Sequence, residues 1–498
     1  MDVDLNMVPD VAEVSRPELS VSVRERQRAV SVAALILFLF AVWLGLQAPL
    51  GILSGTDELL TAERSREMLV TGERWVVHYN FHRSFEKPPL QYWLTSFTLP
   101  RFQNPAIALR VWPLLYGMLA AASLGLLARL LKPDEPWLIP LSIGIAISAP
   151  LFSSESARGL LDIGLAFFTL LVIVSAELAR RNPVWWLGAA LACWLGSLQK
   201  IPLPFLIWLL MLIVRLINRD DRRELRRGIG WLIGSLLVAI ALMSILPLLD
   251  LLKYQMPVWS LFHEEVIVWI GPTELGRKPY FEIPMAMSLA GGLCGFLSLL
   301  APFLVLFSKK ERPTPAVREV AIVSIAWIVL LILSNFRHVR YAIPVLPPLC
   351  FLLALVFYRF LKQPPPVRIR ATVALIILLL AGFVHGQIRI NVWRRDVTDE
   401  KMIAEKLGAL QQPGTEIVLI KAMNPGNDLL WDSFYLFHGN FRFPVTKLTT
   451  DELRADPPKP PVIGACVVRD FPVVKELYPN VQVQLTRAQF ICWQVPAE

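Results

Sequence analysis

Charge is scarce in this sequence. Only 18% of its 498 residues are Asp, Glu, Lys or Arg, against 55% hydrophobic, and a soluble domain of that size carries more charge and fewer long apolar runs. Cysteine is also sparse, at five residues, and no CxxC or Cys/His spacing calls for a structural zinc site. Cys193, Cys294 and Cys350 fall in apolar stretches, as ordinary buried thiols do. Cys466 and Cys492 lie near the C-terminus and can pair if that region faces an oxidising compartment. No internal repeat or low-complexity tract stands out, and Pro364 to Pro366 is only a stiff loop.

What the chain has is apolar length. A bilayer core takes about 20 apolar residues per helix. Candidate spans are 30–51, 106–131, 137–151, 159–179, 184–199, 201–217, 229–250, 283–307, 317–335, 340–360 and 370–388, an all-α polytopic membrane protein of about 11–13 transmembrane helices. The first 29 residues are polar, and the apolar stretch after them has no small-residue cleavage signal, so it reads as an uncleaved first span. The net charge of +9 raises nucleic acid as a partner. The arginines, however, lie in short blocks between apolar runs, which is membrane topology and not a nucleic-acid stripe.

Those blocks fix an expected orientation. With the N-terminus inside, Arg180 and Arg181, the six arginines of 215–227, Lys309 and Lys310, and the basic run 359–370 all fall on the cytoplasmic side. Loops 52–105, 152–158, 199–200, 251–282 and 336–339, and everything after 388, then lie outside. The stretch 88–104 is expected as an amphipathic helix on the outer surface. The last 110 residues change character, with a helix over Thr398 to Leu410 and strands over 416–420 and 461–468. The expected domains are a cytoplasmic tail (1–29), a transmembrane module (30–388) and a small extracytoplasmic α/β domain (389–498).

In a transporter, ionisable residues lie inside spans near the midplane. Here the spans read as nearly empty of them, and polar groups gather in the outer loops. The first such loop begins Thr56-Asp57-Glu58-Leu59-Leu60, a helix start with Thr56 as the expected N-cap. Its second half reads Phe85-Glu86-Lys87-Pro88-Pro89, where two prolines stiffen the turn that carries Glu86 and Lys87. A carboxylate can take a proton from an attacking hydroxyl while a cation holds a leaving phosphate, so this set suits chemistry on a lipid phosphate. Taken singly, Asp57 and Glu58 are an ordinary helix-start charge pair and Lys87 an interfacial anchor. Together in one loop they make a site.

Other candidates are weighed the same way. Arg337, His338 and Arg340 crowd a short outer loop where the topology rule disfavours cations, so phosphate contact stands level with the bland reading. Lys200 is a phosphate contact or a snorkelling anchor. His263, Glu264 and Glu265 read as a solvated loop face, and His78 and His82 as part of an extended loop rather than metal ligands. No cofactor is called for, and a divalent metal stays open.

The order of a span, then TDELLTAERSREML, then FEKPPLQYW resembles the bacterial relatives of lipid A aminoarabinose transferase and the protein O-mannosyltransferases, of the GT-C superfamily. Ser156-Ala157-Arg158-Gly159-Leu160-Leu161-Asp162, Leu198-Gln199-Lys200, Lys278-Pro279-Tyr280-Phe281 and 337–344 extend the likeness over about residues 30–360. The resemblance implies a GT-C fold and a glycosyltransferase of the bacterial inner membrane. It would use a polyprenyl-phosphate-sugar donor outside, with inversion at the anomeric carbon and no nucleotide-sugar loop or metal-binding DxD. It maps the acidic residue implicated in catalysis onto Asp57, as the base, its acidic neighbour onto Glu58, and the carrier-phosphate lysine onto Lys87 with Glu86 beside it. Arg158 and Asp162 match a second polar pair. Leu60 replaces an arginine of the aminoarabinose transferases, and Ile201 a glycine, which weakens lipid A phosphate as the acceptor. Lipid, glycan and protein acceptors all stay open, as does the oligomeric state. The competing reading is a transporter or flippase of lipid-linked sugars.

Overall fold

The computed structural model describes residues 23–85, 87–255, 282–308, 312–333, 339–392, 394, 396–421 and 432–497. Expectations that fall on Glu86, His263, Glu264, Glu265, Lys278, Lys309, Lys310, Arg337 and His338 lie outside the described residues.

Each apolar stretch has a helical counterpart. In chain order the first helices are α1 (Val23–Gln47), α2 (Thr56–Thr71), α3 (Leu90–Thr98), α4 (Pro105–Leu131), α5 (Leu138–Ser148), α6 (Pro150–Ser156), α7 (Asp162–Ala179) and α8 (Trp186–Gln199). Then come α9 (Leu203–Ile217), α10 (Arg219–Arg227), α11 (Ile229–Tyr254), α12 (Glu282–Leu306), α13 (Pro315–Leu333), α14 (Leu346–Leu361) and α15 (Pro365–Val392). Among the described residues, seven helices are long and apolar enough to cross a bilayer alone, and eight if α5 and α6 count as one bent span. The apolar α9 and the second half of α12 are shorter. The stretch after Pro89 is a helix, α3, only nine residues long.

Two features shape the bundle. Between α5 and α6 the axis bends by 74°. Ala149 precedes Pro150 and adopts extended angles (φ −65°, ψ 119°), as the proline ring requires of its predecessor. The bend swings α6 inward and places Glu155 and the following Arg158 inside the bundle. Against it lies α15, where Gly382 lets the backbones close up: a Cβ there would fall 2.3 Å from the Ser148 carbonyl oxygen.

The spans hold more ionisable residues than their composition suggested. Arg215 of α9 donates to Glu319 of α13 (2.9 Å) and to Glu177 of α7 (2.7 Å), and Arg180 bridges Glu319, Glu177, Asp221 and Glu224. A buried charge is tolerated where it is paired, and these all meet at one end of the bundle. α7 begins at Asp162 and ends at Ala179, so the two ends of that helix lie roughly 27 Å apart at 1.5 Å per residue.

After α15 the chain builds a small α/β domain: α16 (Thr398–Leu410), β3 (Glu416–Lys421), α17 (Asp432–Gly439), β4 (Val445–Thr449), β5 (Val462–Val467), β6 (Gln482–Arg487) and β7 (Phe490–Val495). A hairpin in the first loop supplies β1 (Val77–Tyr79) and β2 (His82–Ser84). The five-stranded sheet runs β4-β3-β5-β7-β6, with β3 parallel to both neighbours and the rest antiparallel. One hydrophobic core joins Phe434, Phe437 and Leu407 of this domain to Leu59 and Ala62 of α2 and Leu109 of α4.

The cysteines near the C-terminus do not pair. Cys466 lies opposite Ile491, and Cys492 opposite Ala465. A register offset by one residue sends the two side chains to opposite faces of the sheet, and both thiols are free and buried.

Candidate active site

The site starts at the N-terminus of α2. Its N-cap is Gly55, in extended conformation, and not Thr56, which is already helical. Asp57 and Glu58 occupy the first turn. Neighbours on a helix point about 100° apart, so the two carboxylates diverge.

Glu58 turns into the bundle. Arg110 of α4 donates through Nε to Oε1 (2.7 Å) and through Nη2 to Oε2 (3.1 Å), and the Gly159 amide donates to Oε1 (2.9 Å). The remaining guanidinium nitrogen of Arg110 donates to the carbonyls of Ala48 and Leu50. Burial opposes ionisation of Glu58, but Arg110 and then Arg158 outweigh it and hold the carboxyl below the usual glutamate range. Both oxygens of Glu58 are thereby committed within the protein.

Asp57 turns toward the 3-10 segment Val339–Val345 and accepts a hydrogen bond from Arg340. Its side chain keeps 43% of its surface exposed. Burial would raise this carboxyl too, but Arg340, followed by Lys200 and Arg158, keeps it below the ordinary aspartate range. Asp57 is therefore an accessible anion beside three cations.

Lys200 connects the parts. At the end of α8 it donates to Asp162 (2.6 Å), the first residue of α7, and sits 4.7 Å from the centre of the Tyr341 ring. Gln199 anchors the turn: its Nε2 donates to Gln91 (3.1 Å) and to the Leu161 carbonyl (3.1 Å), while Tyr116 donates to its Oε1 (3.4 Å). Gly164 makes room for that amide, because a Cβ there would lie 2.5 Å from Gln199 Nε2.

Among the described residues, Arg158 and Asp162 take different ion-pair partners. Arg158 lies 3.7 Å from Glu155, whereas Asp162 takes Lys200. Arg389 of α15 approaches the same corner and donates to Ser154 (3.4 Å). Arg110, Glu155 and Arg389 were not picked out from sequence. The only signal was an ionisable residue inside or at the edge of an apolar run, which is costly unless it is used. In all, Asp57, Glu58, Glu155 and Asp162 face Arg110, Arg158, Lys200, Arg340 and Arg389. Cations are in excess by one among the described residues of this cluster.

A cavity of about 580 Å³ opens beside the cluster, and Lys87 and Lys200 both line it. The rest of its wall is mostly apolar, with Trp75, Val77, Phe85, Leu198, Met243 and Leu251 among the lining residues. Lys87 and Asp57 are thus linked through Lys200, which touches both the cavity and the carboxylate cluster. No group of three or more His, Cys, Asp or Glu among the described residues is placed to hold a metal ion. His78 and His82 lie on the two strands of the hairpin, and His78 turns to Glu73 (3.2 Å).

No family model matches the chain. It is 27% identical over 372 residues to the undecaprenyl phosphate-alpha-4-amino-4-deoxy-L-arabinose arabinosyl transferase of Pseudomonas paraeruginosa, a match over 72% of this chain and 66% of that one. The chain therefore spans just under two thirds of the length of the curated relatives it matches first. In three dimensions it resembles the crystal structure of ArnT from Cupriavidus metallidurans bound to undecaprenyl phosphate. The TM-score is 0.66 at 18% identity, covering 94% of this chain and 97% of the other. The oligosaccharyltransferase of Archaeoglobus fulgidus follows at a TM-score of 0.56 and 12% identity, over 83% and 61% of the two chains. The fold is the GT-C fold that the sequence motifs resembled.

Proposed function

We propose that this chain, a relative of the GT-C transferases, moves a sugar from a polyprenyl-phosphate carrier to an acceptor hydroxyl at the extracytoplasmic face of the membrane. The observation that carries this reading is the mostly apolar cavity lined by Lys87 and Lys200, the second of which also joins the cluster that holds an accessible Asp57. An isoprenoid chain suits the apolar wall, a phosphate suits the two ammonium groups, and the reacting carbon then falls next to a carboxylate held ionised.

Asp57 accepts the proton of the acceptor hydroxyl as its oxygen bonds to the anomeric carbon. The bond from that carbon to the phosphate oxygen breaks, with inversion, and the polyprenyl phosphate leaves as an anion. Lys87, Lys200 and Arg340 hold its charge. Glu58 and Arg110 fix the start of α2, so that Asp57 turns toward Arg340, in the cluster that Lys200 joins to the cavity. The curated relative is named for moving an aminopentose from undecaprenyl phosphate, and the proposed donor is of that class. The extracytoplasmic placement draws on the basic blocks at 180–181 and 215–227, which gather at the end of α7 away from Asp57. A transporter would line a midplane path with ionisable residues; here they gather at the two ends.

The test is lipid analysis of cells lacking the protein, which should accumulate a sugar-charged polyprenyl phosphate together with an unmodified acceptor. Asp57→Asn and Lys87→Ala should each reduce transfer by about 100-fold or more while the protein stays inserted and folded. Near-normal activity in either variant removes these roles.

A further inference from the structure

Lys87 does not sit on a helix. It follows the hairpin at 77–84 and precedes Pro88-Pro89, so its position is inherited from whatever holds the hairpin. The tip, Asn80-Phe81, takes left-handed backbone angles at both residues (φ 53° and 63°). Asn tolerates that region and Phe does not, so the turn is held from outside.

Two contacts hold it. The Phe81 amide donates to Glu67 of α2 at 3.0 Å. The Asn80 side chain reaches the C-terminal domain: Nδ2 donates to the Val445 carbonyl (2.8 Å), and Oδ1 accepts from the Val445 amide (2.8 Å). Val445 opens β4, the edge strand of the sheet. One side-chain amide thus occupies both backbone groups of an edge residue, as a neighbouring strand would. Tyr79 beside it donates to Asp432 at 2.5 Å. The other side of the same hairpin is cavity wall, through Val77, Ser84 and Phe85.

We infer that the C-terminal domain positions Lys87 for the carrier phosphate through the Asn80–Val445 clasp, which makes Asn80 a positioning residue for donor binding. This rests on the function proposed above. The hairpin carries the clasp at its tip, and Lys87 follows three residues after its second strand ends at Ser84, so loosening the first releases the second.

Binding of undecaprenyl phosphate to the full-length protein in detergent tests this. Asn80→Gly keeps a residue at ease with positive φ and deletes only the amide. Its dissociation constant should rise about tenfold, the scale of one or two lost hydrogen bonds, while the number of sites per protein stays the same. A merely structural role would lower the number of sites and leave the affinity of those remaining. In a Lys87→Ala background the same change should alter the constant by less than about twofold, because residues acting through one contact are not additive. An unchanged constant in Asn80→Gly overturns the inference, and so does a full tenfold effect in the Lys87→Ala background. If Lys87→Ala itself leaves binding intact, the phosphate reading fails instead.

Discussion

Lys200 donates to Asp162 at 2.6 Å, and both side chains are buried. The pair closes the gap between the end of α8 and the start of α7, where the cavity meets the carboxylate cluster. A lysine already neutralised by Asp162 can still turn a donor hydrogen toward an incoming phosphate, because an ammonium carries three.

Asp162→Ala leaves Lys200 buried with its anion removed, and losing one partner of a buried pair destabilises by about 3–5 kcal/mol. The variant should unfold at a lower temperature in detergent, and Lys200→Ala/Asp162→Ala should recover part of that loss. Thermal scans of the single and double variants measure the difference.

Glu58→Ala strands Arg110 in the same way, with an expected loss of about 3 kcal/mol or more. Glu58→Gln keeps an acceptor for Arg110 and should retain much of the stability. A Glu58→Ala protein as stable as wild type would show that the start of α2 is held by something else.

Glu67 of α2 predicts a pH dependence outside the membrane. Burial, then the neighbouring Glu63 carboxylate, push its carboxyl up to about 8. An acid raised on folding keeps its proton while the unfolded chain has lost its own. Stability should therefore be full below the unfolded value near 4.5, and fall as pH rises through about 8. Melting curves of wild type from pH 5 to 9 should show that decline, and Glu67→Gln should flatten it. Equal slopes would mean that Glu67 ionises normally.

Cys466 and Cys492 should each take one equivalent of maleimide after denaturation without reductant, because their side chains lie on opposite faces of the sheet. A mass shift that appears only after reduction would contradict this register.

Much of this was legible in the sequence, for identifiable reasons. Apolar length announced the helices, and the helix Thr398–Leu410 has the expected bounds, with Ile403 and Leu407 buried as its spacing requires and Met402 exposed. The acidic pair, Arg158, Asp162, Lys200 and Arg340 announced themselves because polar residues beside spans are conspicuous. Their pairing was not legible. Glu58 meets Arg110 across 52 positions, and Arg340 meets Asp57 across 283; nothing local encodes either distance. The N-cap was misplaced by one residue because Gly55 supplies the extended backbone that Thr56 was expected to adopt. The buried ion network around Glu319 was hidden for the opposite reason. Its arginines also satisfy the topology rule, which accounts for their charge without any partner.

The sheet carries one more implication, for how the molecule is assembled. β7 lies between β5 and β6, although it follows both in the chain. A polypeptide interrupted before Phe490 would lose an interior strand rather than an edge, and β6 would have no neighbour to join. Because β4 of this sheet grips the hairpin tip, a nonsense codon hundreds of positions downstream of Lys87 would leave the membrane helices in place and the cavity wall beside Lys87 slack. Premature stops near the 3′ end of the gene should therefore behave like lesions in the first loop.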